Sequence, residues 1–255
     1  MRKTLILLIL QLVISNAFAC SCKSLDFIQR FQTSEFIARA KIISIKDDKA
    51  NSQYSIATIQ ILELFKGSKV TSIRVSKVSC PLSLNINTVW LLYASEEKGK
   101  YLETNGCSGS WQIEKIAKNS SETDIFFDRL IHRQLEMLRY LKKYKIQNEN
   151  PYRLEFGFYS DCYKSFKGYL LKKTYAIYEV EISKNLSVKN IKEIRTFENK
   201  ELSLKIVNCM HKNLIAFKRD IKSIQKPIKL LIAFYYFPAE NGKKSSISIS
   251  DEIIY

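Results

Sequence analysis

Six cysteines hold most of the chemistry that this sequence could offer: Cys20, Cys22, Cys80, Cys107, Cys162 and Cys209. Their number is even, which in an exported chain is the arithmetic of disulfides. Their spacing does not suit a structural zinc site. Cys20 and Cys22 are one residue apart, no second CxxC-type pair follows, and the only histidines, His132 and His211, sit far from clustered cysteines. No metal or cofactor is expected. Nor does a catalytic constellation emerge. Both histidines fall on predicted helices with no acid or nucleophile motif beside them, and Asp47-Asp48 precedes a polar loop and reads as solvated. There is no Gly-rich phosphate loop among only seven glycines, and no HExxH or GxSxG. No catalytic residue is assigned, and the chain is read as a non-enzyme.

The cysteines depend on the N-terminus for their compartment. Residues 1–19 read as a secretion signal: Arg2 and Lys3, an apolar Leu5–Ile14 interrupted only by Gln11, then Ala17-Phe18-Ala19. The apolar run is too short to span a bilayer. The stretch "NAFACSC" leaves two fates for Cys20. Lipidation would take its sulfur out of disulfide chemistry and leave five cysteines, an odd set; Phe18 also stands where a lipobox prefers a small residue. Plain cleavage before Cys20 leaves the even set and is favoured, so membrane attachment is expected only if Cys20 is lipidated. The expected location is the periplasm, the outer envelope or the extracellular space.

Composition narrows the partners. The formal charge is +16, and it falls to +14 when Arg2 and Lys3 leave with the signal. The lysines are spread along the chain and alternate with apolar residues, as in "KVSK" and "IKEIR", the pattern of solvated strand faces. Specific nucleic-acid binding is therefore not expected.

The elements that must position the cysteines form two β-rich halves around one helix. "SEFIARAKIISIK", "SIATIQILELF", "TSIRVSKV", "TVWLLYA" and "YLETNGC" make about five strands, the last two joined across "EEKGK". Ser121–Tyr144 is the clearest helix, with Ser121 and Asp124 placed as a capping box and an apolar stripe through Leu130, Leu135, Leu138 and Leu141. "IQNENP", ending at Pro151, breaks it and marks a boundary. After a loose segment through Lys173, the order is hairpin ("YAIYEVEIS", "VKNIKEIRTF"), helix ("NKELSLKIVNCMHKNLIAF") and strand ("IKLLIAFYYF"). The final "AENGKKSSISISDEIIY" has no evident partner. The expected divisions are a signal at 1–19, a first domain with its helix at 20–148, a second at 151–240 and a tail at 241–255.

"CSC", "ARAK", "ILELFKG" and "VWLLYASEEKGKYLETNGCSGSW", in that order, resemble the netrin-like module. The resemblance is greatest to the N-terminal domain of tissue inhibitors of metalloproteinases and runs from Cys20 to about Trp111. It implies an OB-type five-stranded barrel, and bridges Cys20–Cys80 and Cys22–Cys107. The family's third early cysteine would fall near Gln32, so that bridge is absent. The resemblance also implies a way to act: the amine and carbonyl of Cys20 would chelate a protease's zinc while Ser21 enters its specificity pocket.

In the second half, "YAIYEVEISKNLSVKNIKEIRTF", "LSLKIVNCMHKNLIAF" and "KPIKLLIAFYYF" resemble the C-terminal domain of TonB-type proteins. This implies a small β-β-α-β module and a bacterial source. Proline-rich spacer and transmembrane anchor are lacking, so energy transduction is not implied. Cys162 and Cys209, the only cysteines of this half, are expected to pair. The fold class is thus mostly β plus α+β. The expected function is an exported, disulfide-bonded envelope protein that binds a protein partner or serves structurally; the alternative is inhibition of zinc metalloproteases.

Overall fold

The computed structural model describes residues 20, 22, 25–78, 80–97, 101–113, 121–160, 162–240 and 242–251. Residues 1–19, read above as a signal, Ser21, residues 98–100 and the last four residues lie outside these. Helix α1 (Phe27–Thr33) begins where Asp26 caps it. The Gln29 N–H donates to Asp26 Oδ1 at 2.8 Å, and the Asp26 N–H donates back to Gln29 Oε1 at 3.2 Å.

Five strands follow: β1 (Phe36–Asp47), β2 (Tyr54–Lys66), β3 (Ser72–Ser76), β4 (Val89–Glu97) and β5 (Tyr101–Thr104). They pair in the order β1-β2-β3-β5-β4, and β4 closes back on β1 with Ala38 opposite Leu92. Only β3 and β5 run parallel. This is an OB-type five-stranded barrel. A short β6 (Trp111–Gln112) adds to β4.

The side-chain alternation explains the sequence. Ala38, Ala40, Ile42, Trp90, Leu92 and Ala94 point into the barrel, and the alanines suit its narrow bore. Ile37, Leu91 and Tyr93 point outward, yet they too are fully buried, under α1 and the long helix α2 (Glu122–Lys143). "TVWLLYA" is a continuous apolar run because both of its faces are covered. Ser121 caps α2, with Asp124 completing a capping box as its position predicts.

The second half is the expected β-β-α-β arrangement: β8 (Tyr175–Ile182), β9 (Val188–Arg195), α3 (Lys200–Asn213) and β11 (Ile228–Phe237). Its central strands also bury both faces. Tyr178, Val180, Leu230, Ile232 and Phe234 share a core with α3. Tyr175, Ile177, Leu231, Ala233 and Tyr235 instead share one with α1, α2 and the outer wall of the barrel. The two halves therefore meet through a common core, with α1 and α2 as the layer between them. No described helix is long and apolar enough to cross a membrane.

Three segments differ from expectation. Helix α3 stops at Asn213, and Leu214–Phe217 forms a strand, β10, paired with β7 (Glu155–Phe158) inside the segment read as loose. Ile206, Met210 and Leu214 are spaced four apart, so the helical stripe runs on past the true end. Leu214 is in fact extended at φ −73, ψ 131 and only caps α3 through its N–H. The tail is not unpartnered either: β12 (Ser246–Ser248) pairs with Tyr235–Phe237 and buries Ile247. Finally, a 3-10 turn occupies Cys162–Ser165.

Candidate functional site: a disulfide knuckle at the mouth of a groove

All six cysteines are bridged: Cys20–Cys80, Cys22–Cys107 and Cys162–Cys209, with Cα–Cα distances of 5.1, 5.2 and 6.0 Å. These are the separations that disulfides require. Three bridges point to an oxidising, exported location. The first two form one knuckle, whose four sulfurs all lie within 4.8 Å of one another. Cys20 and Cys22 are exposed, while Cys80 and Cys107 are half-buried.

The turn "NGCS" builds the knuckle. The Asn105 side chain accepts the Cys107 N–H at 2.9 Å, and the Gly106 N–H donates to the Cys80 carbonyl at 2.7 Å. A Cβ on Gly106 would stand 3.0 Å from the carbonyl oxygens of both Cys80 and Pro81, so glycine permits this approach. Cys80 itself adopts left-handed backbone, φ 68.

Cys22 and Cys107 also line a groove of about 580 Å³ between the barrel, α1 and the second half. Its barrel wall carries Tyr93, Ser95 and Glu103; α1 adds Gln29, Arg30 and Thr33. The opposite wall carries Asn150, Arg153, Glu155 and Lys218. Asn150 shapes that wall. Its side-chain oxygen accepts the Leu154 N–H at 2.9 Å, its amide donates to the Leu154 carbonyl at 2.7 Å, and Arg153 between them is held at φ 51.

Beneath the groove lies a buried polar node. Arg30 Nη2 pairs with Asp251 Oδ2 at 2.9 Å, with both side chains almost fully covered. Gln134 Nε2 donates to the same oxygen at 2.9 Å, and Tyr93 OH donates to Gln134 Oε1 at 3.3 Å. Arg133 Nη2 donates to the Asp251 carbonyl at 2.5 Å while lying over the Tyr235 and Phe237 rings. Burial opposes the Arg30 charge, but Tyr93 and Asp251 facing it hold its pKa above the ordinary value. Burial raises the Tyr93 and Tyr235 phenols, keeping them protonated. Asp26 is pushed up to about 6, chiefly by burial and further by Asp251, against the Gln29 N–H and Arg30. It borders a small cavity of about 30 Å³ with Gln32, whose Nε2 finds no hydrogen-bond partner among the described residues.

No protein-family model matches the chain, and no curated protein matches it. The reading of the site therefore rests on its own geometry. Of the residues singled out in sequence, the six cysteines are placed as above. Ser21 lies outside the described residues. His132 is exposed on α2 with Nδ1 2.9 Å from the Asp128 carbonyl and 3.0 Å from its carboxylate. His211 is exposed near the end of α3, so the two histidines occupy different helices. Sequence reasoning missed the groove and the Arg30–Asp251 node. One signal was available for the latter: Arg30 interrupts "FIQRF", a segment whose Phe27, Ile28 and Phe31 are all buried.

Proposed function

We propose that this chain is an exported bacterial envelope protein that binds a protein partner and is not an enzyme. A netrin-like barrel and a TonB-like module together would form its binding face. The observation that carries this reading is the groove: both halves supply its walls, and the disulfide knuckle holds its mouth in place. Charged, amide and hydroxyl groups line it beside apolar Leu25 and Leu154, a mixture suited to a polypeptide surface. The test is site-specific photo-crosslinking in envelope extract, with the probe at Ser95 in the groove or at Lys189 on the edge strand β9. A discrete adduct from Ser95 and none from Lys189 is expected. Equal labelling from the two positions, or none from Ser95, overturns the reading.

A second reading is inhibition of a zinc metalloprotease through the mature N-terminus. It is favoured by the exposure of Cys20, which is tied to the barrel by its sulfur. A neutral amine is a competent ligand for zinc with an open position. Adding an alanine before Cys20 would remove inhibition while leaving the fold intact. A panel of zinc proteases that responds identically to both forms rules this reading out.

A further inference from the structure

The two bridges of the knuckle are close enough to exchange. Cys22 Sγ lies 3.8 Å from Cys20 Sγ and 3.8 Å from Cys80 Sγ, contacts between sulfurs that are not bonded to each other. Cys20 and Cys22 are exposed. The third bridge offers neither property: Cys209 is buried on α3, and no other cysteine is near.

We propose that the knuckle is a two-electron acceptor for a dithiol, in which opening of Cys20–Cys80 passes through the Cys22–Cys80 contact to release Cys107. The client is a polypeptide or small molecule with two thiols. Its first thiolate attacks Cys20 Sγ, and the Cys20–Cys80 bond breaks with its electron pair on Cys80. The Cys80 thiolate then attacks Cys22 Sγ, forming Cys22–Cys80 and expelling Cys107, which takes the pair and a proton. The client's second thiolate attacks its own sulfur in the mixed disulfide, and Cys20 leaves with the pair and takes a proton. The client is oxidised by two electrons. The protein ends with one bridge, Cys22–Cys80, and two thiols, Cys20 and Cys107.

Two physical points support this order. Exchange needs an accessible sulfur for the first attack, and Cys20 is exposed. It then needs a released thiolate beside a second disulfide. Because all four sulfurs lie within 4.8 Å, Cys80 is not in line with the Cys22–Cys107 bond while it is bridged. Release from Cys20 frees it to rotate about its Cα–Cβ bond into line. The step goes beyond partner binding and does not require it.

The test uses the fully bridged mature chain and one molar equivalent of dithiothreitol, quenched by alkylation and mapped by mass spectrometry without reduction. The expected product has Cys20 and Cys107 alkylated, Cys22 linked to Cys80, and Cys162–Cys209 intact. Alkylation of Cys20 and Cys80 with Cys22–Cys107 retained shows simple reduction without relay and overturns the proposal. So does first reduction at Cys162–Cys209, and so does the absence of any alkylated cysteine.

Discussion

Arg30 and Asp251 form a buried ion pair at 2.9 Å although 221 residues separate them. One sits on the first helix and the other four residues from the end of the chain, so the pair ties the second half back onto the first. Gln134 on α2 completes the site, so three separate segments converge there. Removing one partner of a buried pair leaves the other charge uncompensated, which costs about 3–5 kcal/mol. Asp251→Ala is expected to destabilise by that amount in urea unfolding, and the double variant Arg30→Met/Asp251→Asn to recover part of it. An Asp251→Ala variant as stable as the parent would show that the pair does not hold the halves together.

Asp26 should make the protein less stable as pH rises. Its carboxyl titrates at about 6 in the folded chain, against an ordinary value of 3.8. The folded state therefore holds a proton that the unfolded state has lost, and stability falls across the window from about pH 4 to pH 6. By linkage the loss approaches roughly 2–3 kcal/mol at neutral pH. Asp26→Asn keeps a capping side chain and removes the titration. The variant is expected to be more stable than the parent at pH 7.5 and to lose its advantage near pH 4. Thermal melts at the two pH values check this; parallel melting curves across the range would refute it.

How much of this was legible in the sequence depended on period and on distance along the chain. The barrel strands and α2 showed themselves because alternation and capping are local signals, and Ser121 with Asp124 marked the start of α2 within four residues. The boundary of α3 was hidden because Leu214 continues the helical spacing of Ile206 and Met210 while already extended. β12 is three residues long, with Ile247 as its only apolar side chain, too little for any periodicity to register. The groove and the Arg30–Asp251 pair join residues hundreds of positions apart; the one local trace was Arg30 inside the apolar "FIQRF", which marks a buried charge but not its partner. The knuckle was legible through a family resemblance and not through spacing, since four cysteines admit three pairings.

The Cys162–Cys209 bridge fixes the 3-10 turn against α3 and closes a separation of 47 residues. In the loop-entropy treatment a bridge of that size is worth about 4 kcal/mol. The Cys162→Ser/Cys209→Ser variant should lose stability of that order, and the native protein should show no titratable thiol under denaturing, non-reducing conditions. Finding two thiols per molecule would mean that Cys209 is instead a buried apolar filler.

Gly109 governs where Arg30 can lie. It adopts φ +79, and a Cβ there would stand 2.2 Å from Arg30 Cδ and 2.9 Å from Arg30 Nε. Gly109→Ala therefore carries two penalties. The left-handed backbone alone costs an L-residue about 1–2 kcal/mol. The contact adds to this because Arg30 is buried and cannot withdraw without leaving Asp251. If the second penalty is real, it should vanish once the ion pair has already gone. In a double-mutant cycle, Gly109→Ala and Asp251→Asn should cost less together than the sum of their separate effects, by more than about 0.5 kcal/mol. Additive costs would mean that Arg30 makes room for the methyl group without releasing Asp251, and that glycine at 109 serves the turn alone.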